Sequence, residues 1–338
     1  MRALSVAKPW GLDQLRVVDA PDPTPGAGEV LVRMRAVSLN YRDLLMVGGI
    51  YGRGGNTDAP ITPFSDGCGV VEAVGPGVTR FALGDRVATL FFQGWIAGPP
   101  TLAKVSTSLG FPIPGAGREL GVFSQEGLSK VPAFLTDQQV ATLPCAALTA
   151  WRALFEDARP APGDTVVLQG TGGVSVFGLQ FARAAGCRTL ITSSSDAKLQ
   201  RAKALGADHL VNYRETPEWS KPVREATGGV GADVILEVGG AGTIGESMRA
   251  VKIGGHIAII GVVAGGGSPF NPAGLIGNSA KLQGVSVGSR EMFEAMCRAI
   301  EQHRIAPVVD KVFPWTEARA AFEAMQGAEH FGKIVLQF

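Results

Sequence analysis

Between Thr165 and Gly261 the sequence alternates short apolar runs with amphipathic stretches. Its first junction, "VVLQGTGGVSVFGLQFARAAG" (Val166 to Gly186), passes from strand-like residues through a knot of glycines into helix-like ones. Apolar runs fall at Thr165–Gln169, Arg188–Thr192, His209–Asn212, Val234–Val238 and His256–Gly261. Helical patterns fall between them at Phe177–Ala185, Ala197–Leu205, Ser220–Thr227 and Gly245–Ala250. "KLQGVSVGS" supplies a sixth strand and "REMFEAMCRAIEQH" a helix after it. Apolar strands alternating with amphipathic helices build a parallel sheet covered on both faces, so this region reads as a doubly wound α/β domain.

The glycine knot sets what such a sheet can hold. Gly170, Thr171, Gly172, Gly173, Val174 and Ser175 follow the spacing G-x-G-x-x-G of a dinucleotide loop, except that Ser175 stands at the third glycine. Gly170 allows the tight turn out of the strand. Gly172 lets backbone approach a pyrophosphate, whose charge is favoured by the N–H groups and dipole of the following helix. The third position requires only a small residue, and serine is small. The loop follows a strand, opens a helix and begins a β–α series, which is the context that gives the motif meaning.

The second strand ends in "LITSSSDAK". An NAD site normally carries a carboxylate there to hold the ribose hydroxyls. Here Ser193 and Ser194 occupy the tip, with Asp196 beyond, Lys198 and Arg201 close by in sequence, and Tyr213 and Arg214 after the next strand. Hydroxyls with a nearby cation suit a 2′-phosphate, which favours NADP(H) over NAD(H). The alternative is that Ser195 caps a helix and Lys198 is a solvated charge. Strand ends at Val238-Gly239 and Ile260-Gly261 are further candidates for cofactor contact.

The first part of the chain, to about residue 132, has a different texture. "EVLVRMRAVSLN" alternates with period two, and "GCGVVEAVGPGV" and "LGDRVATLFF" are strand–turn units. Gly94 to Gly117 reads as an irregular lobe. "LTDQQVATLPCAALTAWRALFEDA" reads as a helical region interrupted at Pro144, with Thr136 as its N-cap. The tail ends in a helix and an apolar strand. The expected division is therefore residues 1–132 with 305–338 as one mainly-β domain, and 133–304 as the cofactor-binding domain.

Several classes are disfavoured. The formal net charge of +1 and the lack of basic blocks argue against nucleic acid. No stretch reads as a signal peptide or membrane span, and Cys68, Cys145, Cys187 and Cys297 show no paired spacing. A cytoplasmic protein with reduced thiols is expected.

The blocks "GEVLVRMRAVSLNYRDLLMVGGIYG", "PFSDGCGVVEAVGPGVTRFALGDRV", "LPCAALTAW", "GTGGVSVFGLQFARAAG", "ALGADHLVNY" and "GKIVLQF" run through nearly the whole chain. Together they resemble the medium-chain dehydrogenase/reductase superfamily, and most closely its zinc-independent branch of quinone oxidoreductase and zeta-crystallin-like proteins. The resemblance implies a GroES-like catalytic domain, a Rossmann domain, an active site in a cleft between them, a small-molecule substrate and often a homodimer. Strands "HIAIIGVV" and "KLQGVSVG", near a sheet edge, are candidates for pairing across a two-fold.

Zinc-dependent members of that family use a Cys/His/Cys site with a nearby Glu. Carried over by position, those places are Asn40, Ser65 and Cys145, with Asp66 at the acidic one. One thiol cannot supply the three protein ligands of a catalytic zinc. His209, His256, His303 and His330 all lie after the glycine loop begins, and no cysteine lies between Cys68 and Cys145 to build a structural zinc lobe. No zinc is expected, and Cys145 reads as a small buried hydrophobe near the helix start.

Without a Lewis acid, an acceptor that spreads the arriving charge by conjugation is favoured: a quinone or an α,β-unsaturated carbonyl. Catalytic candidates are Tyr51, which matches an active-site tyrosine of the zeta-crystallin-like proteins, together with Asn40 and Tyr41. Water is an alternative proton donor. The resemblance also implies that Val285 and Val287, in "VSVGSR", bring backbone near the nicotinamide. Lys333, in "HFGKIVL", either approaches the cofactor or lies on the surface. Phe64, Phe92 and Trp95 either wall a substrate pocket or pack in the core. Two other functions stay open: a metal-free alcohol or carbonyl dehydrogenase using Tyr51 as electrophile, and a catalytically idle NADP(H)-binding sensor or structural protein.

Overall fold

The computed structural model describes residues 1–50, 59–265, 267 and 273–338; Tyr51 lies outside them. The chain divides into two compact units, Met1–Leu148 with Val287–Phe338, and Thr149–Ser286. The segments 133–148 and 287–304, assigned from sequence to the cofactor domain, pack with the first unit. Charged side chains are among the contacts that join them to it. Arg86 donates to the carbonyls of Pro132 and Leu135 at 2.8 and 2.7 Å. Arg80 meets Glu294 at 2.9 Å, and the Arg304 guanidinium lies 3.9 Å from the centre of the Phe134 ring.

The first unit is built on a seven-stranded sheet. Its order runs Val309–Pro314, Lys333–Gln337, Glu29–Ser38, Asp66–Val74, Arg86–Thr89 and Leu128–Lys130, with Leu120–Ser124 also pairing on Glu29–Ser38. The period-two pattern of Glu29–Ser38 buries Val30, Val32 and Met34 on one face, where they join Leu4, Phe64, Phe322 and Ile334 in a common core. The terminal strand returns to this sheet, as the apolar tail suggests, and pairs antiparallel with Glu29–Ser38 through Val335 opposite Ser38. Thr136 caps the helix Asp137–Ala141 by accepting from Gln139 N at 3.2 Å. At Pro144 the helical region widens into a π-helical segment, Leu143–Ala147. Within the irregular stretch, Leu102–Val105 forms one short helix.

The second unit is a six-stranded parallel sheet. Its order is His209–Asn212, Arg188–Ser193, Thr165–Leu168, Ala232–Glu237, Val251–Ile259 and Lys281–Gly284. The helices Gly173–Ala184, Asp196–Ala204, Ser220–Ala226 and Ile244–Ala250 fall between its strands. Numbered along the chain the order is 3-2-1-4-5-6, the doubly wound Rossmann arrangement, and the sequence reading of strands and helices maps onto it. The direction of winding reverses between Thr165–Leu168 and Ala232–Glu237, and a fold of this kind presents its ligand crevice at that point. The strand Val251–Ile259 pairs on both sides and lies next to Lys281–Gly284, which forms one edge of the sheet, with His209–Asn212 at the other.

Candidate active site

Two polar constructions stand out, one in each unit. In the second unit the chain leaves Thr165–Leu168 through Gln169 and turns at Gly170, whose φ of +70° suits glycine. It enters the helix Gly173–Ala184 with Gly172 as N-cap. A Cβ built at Gly170 or at Gly172 would meet nothing within 4 Å. The space in front of the loop is open, and the first helical N–H groups lack intrahelical partners. This cradle fits a pyrophosphate.

Ser175, at the irregular third position, is buried and donates its hydroxyl to the Gln169 carbonyl, tying helix to strand. The close packing assigned to that position belongs instead to Gly178, where a Cβ would lie 2.7 Å from Leu168 Cδ2 and 2.9 Å from Leu236 Cδ2. Thr171 is buried, and Thr192 Oγ accepts from Gly170 N at 3.3 Å.

Sequence reasoning missed Glu237, which is fully buried at the switch point. Its carboxylate accepts from Gln169 Nε2 at 2.7 Å, from Gly239 N and Gly240 N at 2.9 Å each, and from the hydroxyls of Thr243 and Ser247. Gln169 Oε1 in turn accepts from Val238 N at 3.2 Å. The loop after Thr165–Leu168 and the loop after Ala232–Glu237 are therefore held by one carboxylate. The available signal was an acidic residue ending a fully apolar strand, "VILEVGG", which must be satisfied where it is buried.

At the tip of Arg188–Ser193, Ser193 is buried and accepts from Ser195 N at 3.2 Å, while Ser194 and Lys198 are half-buried. Asp196 is engaged by Asn212 Nδ2 at 2.8 Å. Tyr213 is exposed, and its N–H donates to the Ser193 carbonyl at 3.0 Å, which brings the ends of these two strands together. Val238, Ile260 and Gly261 lie just beyond strand ends: Ile260 N donates to the Glu237 carbonyl at 2.8 Å, and a Cβ on Gly261 would crowd the Val238 carbonyl at 2.6 Å. Val285 N continues the ladder to Ile259 O at 2.8 Å. Val287 adopts φ +47°, a strained backbone for a β-branched residue.

The first unit gathers Asn40, Asp43, Ser65, Asp66, Cys145 and Lys333. Asn40 caps the helix Tyr41–Val47, its N–H donating to Asp43 Oδ2 at 2.8 Å. Asp66 opens the strand paired with Glu29–Ser38, opposite Ser38. It accepts from Ser65 Oγ at 2.6 Å, Cys145 N at 3.1 Å and Ser38 Oγ at 3.4 Å. Lys333 starts the neighbouring terminal strand, where Leu39 N donates to Ile334 O at 3.0 Å. That register brings its ammonium to Asn40 Oδ1 at 2.6 Å and to the Leu39 carbonyl. Asn40 is 9% exposed and Lys333 3%, so the surface alternative for Lys333 is overturned.

Burial lowers the Lys333 pKa from its ordinary value, opposed by the charges of Asp66 and Asp43. Burial pushes the Asp43 carboxyl up to about 6, against Arg42 and the Asn40 hydrogen bond. Burial, with Asp66, pushes the Cys145 thiol well above its usual range. Asp43 was missed by the sequence reading, although the spacing N-x-x-D at a helix start marks it.

Tyr41 opens its helix and is 43% exposed. The aromatic candidates for a substrate wall are core residues. Phe64 is fully buried against Phe322 with ring centres 5.6 Å apart. Phe92 and Trp95 are buried against each other at 5.7 Å.

A GroES-like sheet unit carrying a buried polar cluster, with a Rossmann unit carrying an open glycine loop, defines a dehydrogenase architecture. Residues 26–133 match the family model of the alcohol dehydrogenase GroES-like domain, and residues 173–302 that of the zinc-binding dehydrogenases. A zinc-type alcohol dehydrogenase-like protein of Schizosaccharomyces pombe is 42% identical, the match covering 97% of this chain and 96% of that protein. The quinone oxidoreductase of Rattus norvegicus is 28% identical, over 99% and 97%. Among solved structures, an NAD-dependent alcohol dehydrogenase aligns with a TM-score of 0.90 at 34% identity over the whole of both chains. Mycobacterial Rv1454c, solved in complex with NADPH, aligns with a TM-score of 0.84 at 29% identity, also over both whole chains. The chain belongs to the medium-chain dehydrogenase/reductase superfamily, and it is an oxidoreductase of that family.

The zinc named in one family description can be tested against the donors present. An amide at Asn40 and a hydroxyl at Ser65 are poor zinc ligands, which leaves the Cys145 thiol as the one soft donor of these three positions. The Lys333 ammonium lies within electrostatic reach of Cys145 and Asp66. This donor set does not fit zinc.

Proposed function

We propose that the protein is an NADPH-dependent, zinc-independent reductase of quinones or α,β-unsaturated carbonyls. The observation that carries the reading is the pocket around Asn40, in which an ammonium-anchored amide and hydroxyls stand where zinc enzymes place soft ligands. Hydrogen-bond donors alone are weak support for the localised alkoxide of a simple ketone. They suffice for an acceptor that delocalises the incoming charge. The name of the rat relative and the coenzyme of the mycobacterial structure point the same way.

The coenzyme, when bound, supplies the hydride. Gly170 and Gly172 would receive its pyrophosphate, and Ser193 and Ser194, with Lys198 near, a 2′-phosphate. Hydride arriving at the β-carbon of an enone moves the π electrons onto oxygen, and that oxygen then needs a hydrogen-bond donor. The resulting enolate or hydroquinone anion takes its proton from water or from Tyr51. The free edge strand Lys281–Gly284 suits pairing with a second copy, and we place it at a homodimer contact.

Chelation tests the metal part. After exhaustive dialysis against a strong chelator, NADPH-dependent quinone reduction is expected to persist with no stoichiometric zinc in the protein. Loss of activity that added zinc restores would overturn it.

A further inference from the structure

The amide of Asn40 has one end fixed and one end spare. An ammonium group has three donors and no acceptor, so the atom 2.6 Å from Lys333 Nζ must be the amide oxygen. A further Lys333 donor is spent on the Leu39 carbonyl. The amide nitrogen, Asn40 Nδ2, therefore faces the other way, and this buried donor has no hydrogen-bond partner among the described residues. Nearby carboxylates do not take it up. Asp66 accepts from Ser65, Cys145 N and Ser38, and Asp43 accepts from the backbone N–H of Asn40 itself through Oδ2 while its Oδ1 is also unpartnered among the described residues. Buried polar groups are normally satisfied, so an orphan donor within this polar cluster is a place for an acceptor from outside the chain.

We infer that Asn40 Nδ2 donates to the carbonyl oxygen of the electron acceptor, and that Lys333 is the positioning residue that orients the amide for it. The inference rests on the reductase reading above and names the group that meets the substrate. Polarisation of the amide oxygen by an ammonium makes the N–H groups stronger donors. The same positive charge favours an oxygen that becomes negative as hydride arrives. The ligand class is a carbonyl or quinone oxygen, an acceptor of hydrogen bonds.

The test compares kcat, KM and NADPH affinity for wild type and for Asn40→Asp, Asn40→Ala, Lys333→Met, Lys333→Arg and the Asn40→Ala/Lys333→Met pair, each first checked by thermal melting. The substrates are a quinone and an enone, with a secondary alcohol in the reverse direction. Asn40→Asp keeps an oxygen for Lys333 but replaces the donor, and kcat should fall roughly 100–1,000-fold, as for loss of an oxyanion donor. NADPH affinity should stay within about threefold of wild type in that variant, by the fixed-loop reading of the coenzyme site. Lys333→Met should lower kcat in the wild-type background and add almost nothing to Asn40→Ala, because the two act as one unit.

Lys333→Arg, which keeps the charge, should fall between wild type and Lys333→Met. If Lys333→Met does not fold, the two Asn40 variants and Lys333→Arg decide the matter. A kcat for Asn40→Asp near that of wild type would overturn the inference. So would weakened NADPH binding with kcat spared, or independent multiplicative effects of the two sites. A wild type that prefers the alcohol removes the reductase reading, while the Asn40 variants still decide the role of the amide. A wild type that turns over none of the substrates removes both.

Discussion

Lys333 Nζ lies 2.6 Å from Asn40 Oδ1, although the two residues are 293 positions apart in the chain. The terminal strand brings them together by pairing with Glu29–Ser38, so the last residues of the protein complete a pocket begun near its start. The consequences extend to the neighbouring charges.

Asp43 should make stability fall as pH rises through the mildly acid range. Its carboxyl is pushed up to about 6 by burial, so the folded protein holds this proton more tightly than the unfolded chain does. The stability it contributes is complete below the ordinary carboxylate range and is lost as pH rises to about 6. Two pKa units correspond to about 3 kcal/mol. Urea unfolding of Asp43→Asn beside wild type should show the difference between them move by about that amount between pH 4 and 7, in favour of the variant. Parallel profiles would mean that Asp43 does not titrate there.

How much of this was written in the sequence depends on distance along the chain. The β–α alternation and the Thr136 cap were legible because each is decided within a few residues. So was the turn at Gly170 between strand and helix. The partnership of Lys333 with Asn40 was not legible, because strand register across the whole chain decides it. Glu237 escaped for a related reason: a carboxylate ending an apolar strand has meaning only when Gln169, Thr243 and Ser247 converge on it. The packing glycine was misplaced by three residues because helix pitch and the leucines of two strands, not the motif, select Gly178.

Gly172 and Gly178 should therefore fail in different ways. A Cβ at Gly172 meets nothing within 4 Å, so Gly172→Val should change the melting temperature little while NADPH binding weakens at least tenfold, about 1.4 kcal/mol. Gly178→Val drives into Leu168 and Leu236 and should lower stability by about 1–3 kcal/mol. Thermal melts with and without NADPH separate the two; equal loss of stability in both would contradict the assignment.

Ser194→Asp tests the phosphate end of the coenzyme site. A carboxylate beside a 2′-phosphate repels it, and NADPH should lose roughly 10–100-fold in affinity while NADH is little changed. Fluorescence titration of both coenzymes provides the comparison. An equal effect on the two would show that Ser194 does not face the phosphate.

Glu237→Gln places an NH2 among groups that all donate to the present carboxylate. Leaving those buried donors poorly matched should cost about 2–4 kcal/mol in urea unfolding. The KM for the coenzyme should rise too, because the Gly239-Gly240 turn and Gln169 lose their common anchor. Unchanged stability would show that the network is redundant.

The central claim is that this pocket reduces acceptors that carry the arriving charge themselves. Steady-state kinetics of chelator-treated protein with NADPH should give a kcat/KM for a quinone or an enone at least 100-fold above that for the matching saturated ketone, a difference of about 2.7 kcal/mol in transition-state stabilisation. Equal or better use of the saturated ketone, or of its alcohol in the reverse direction, would contradict it.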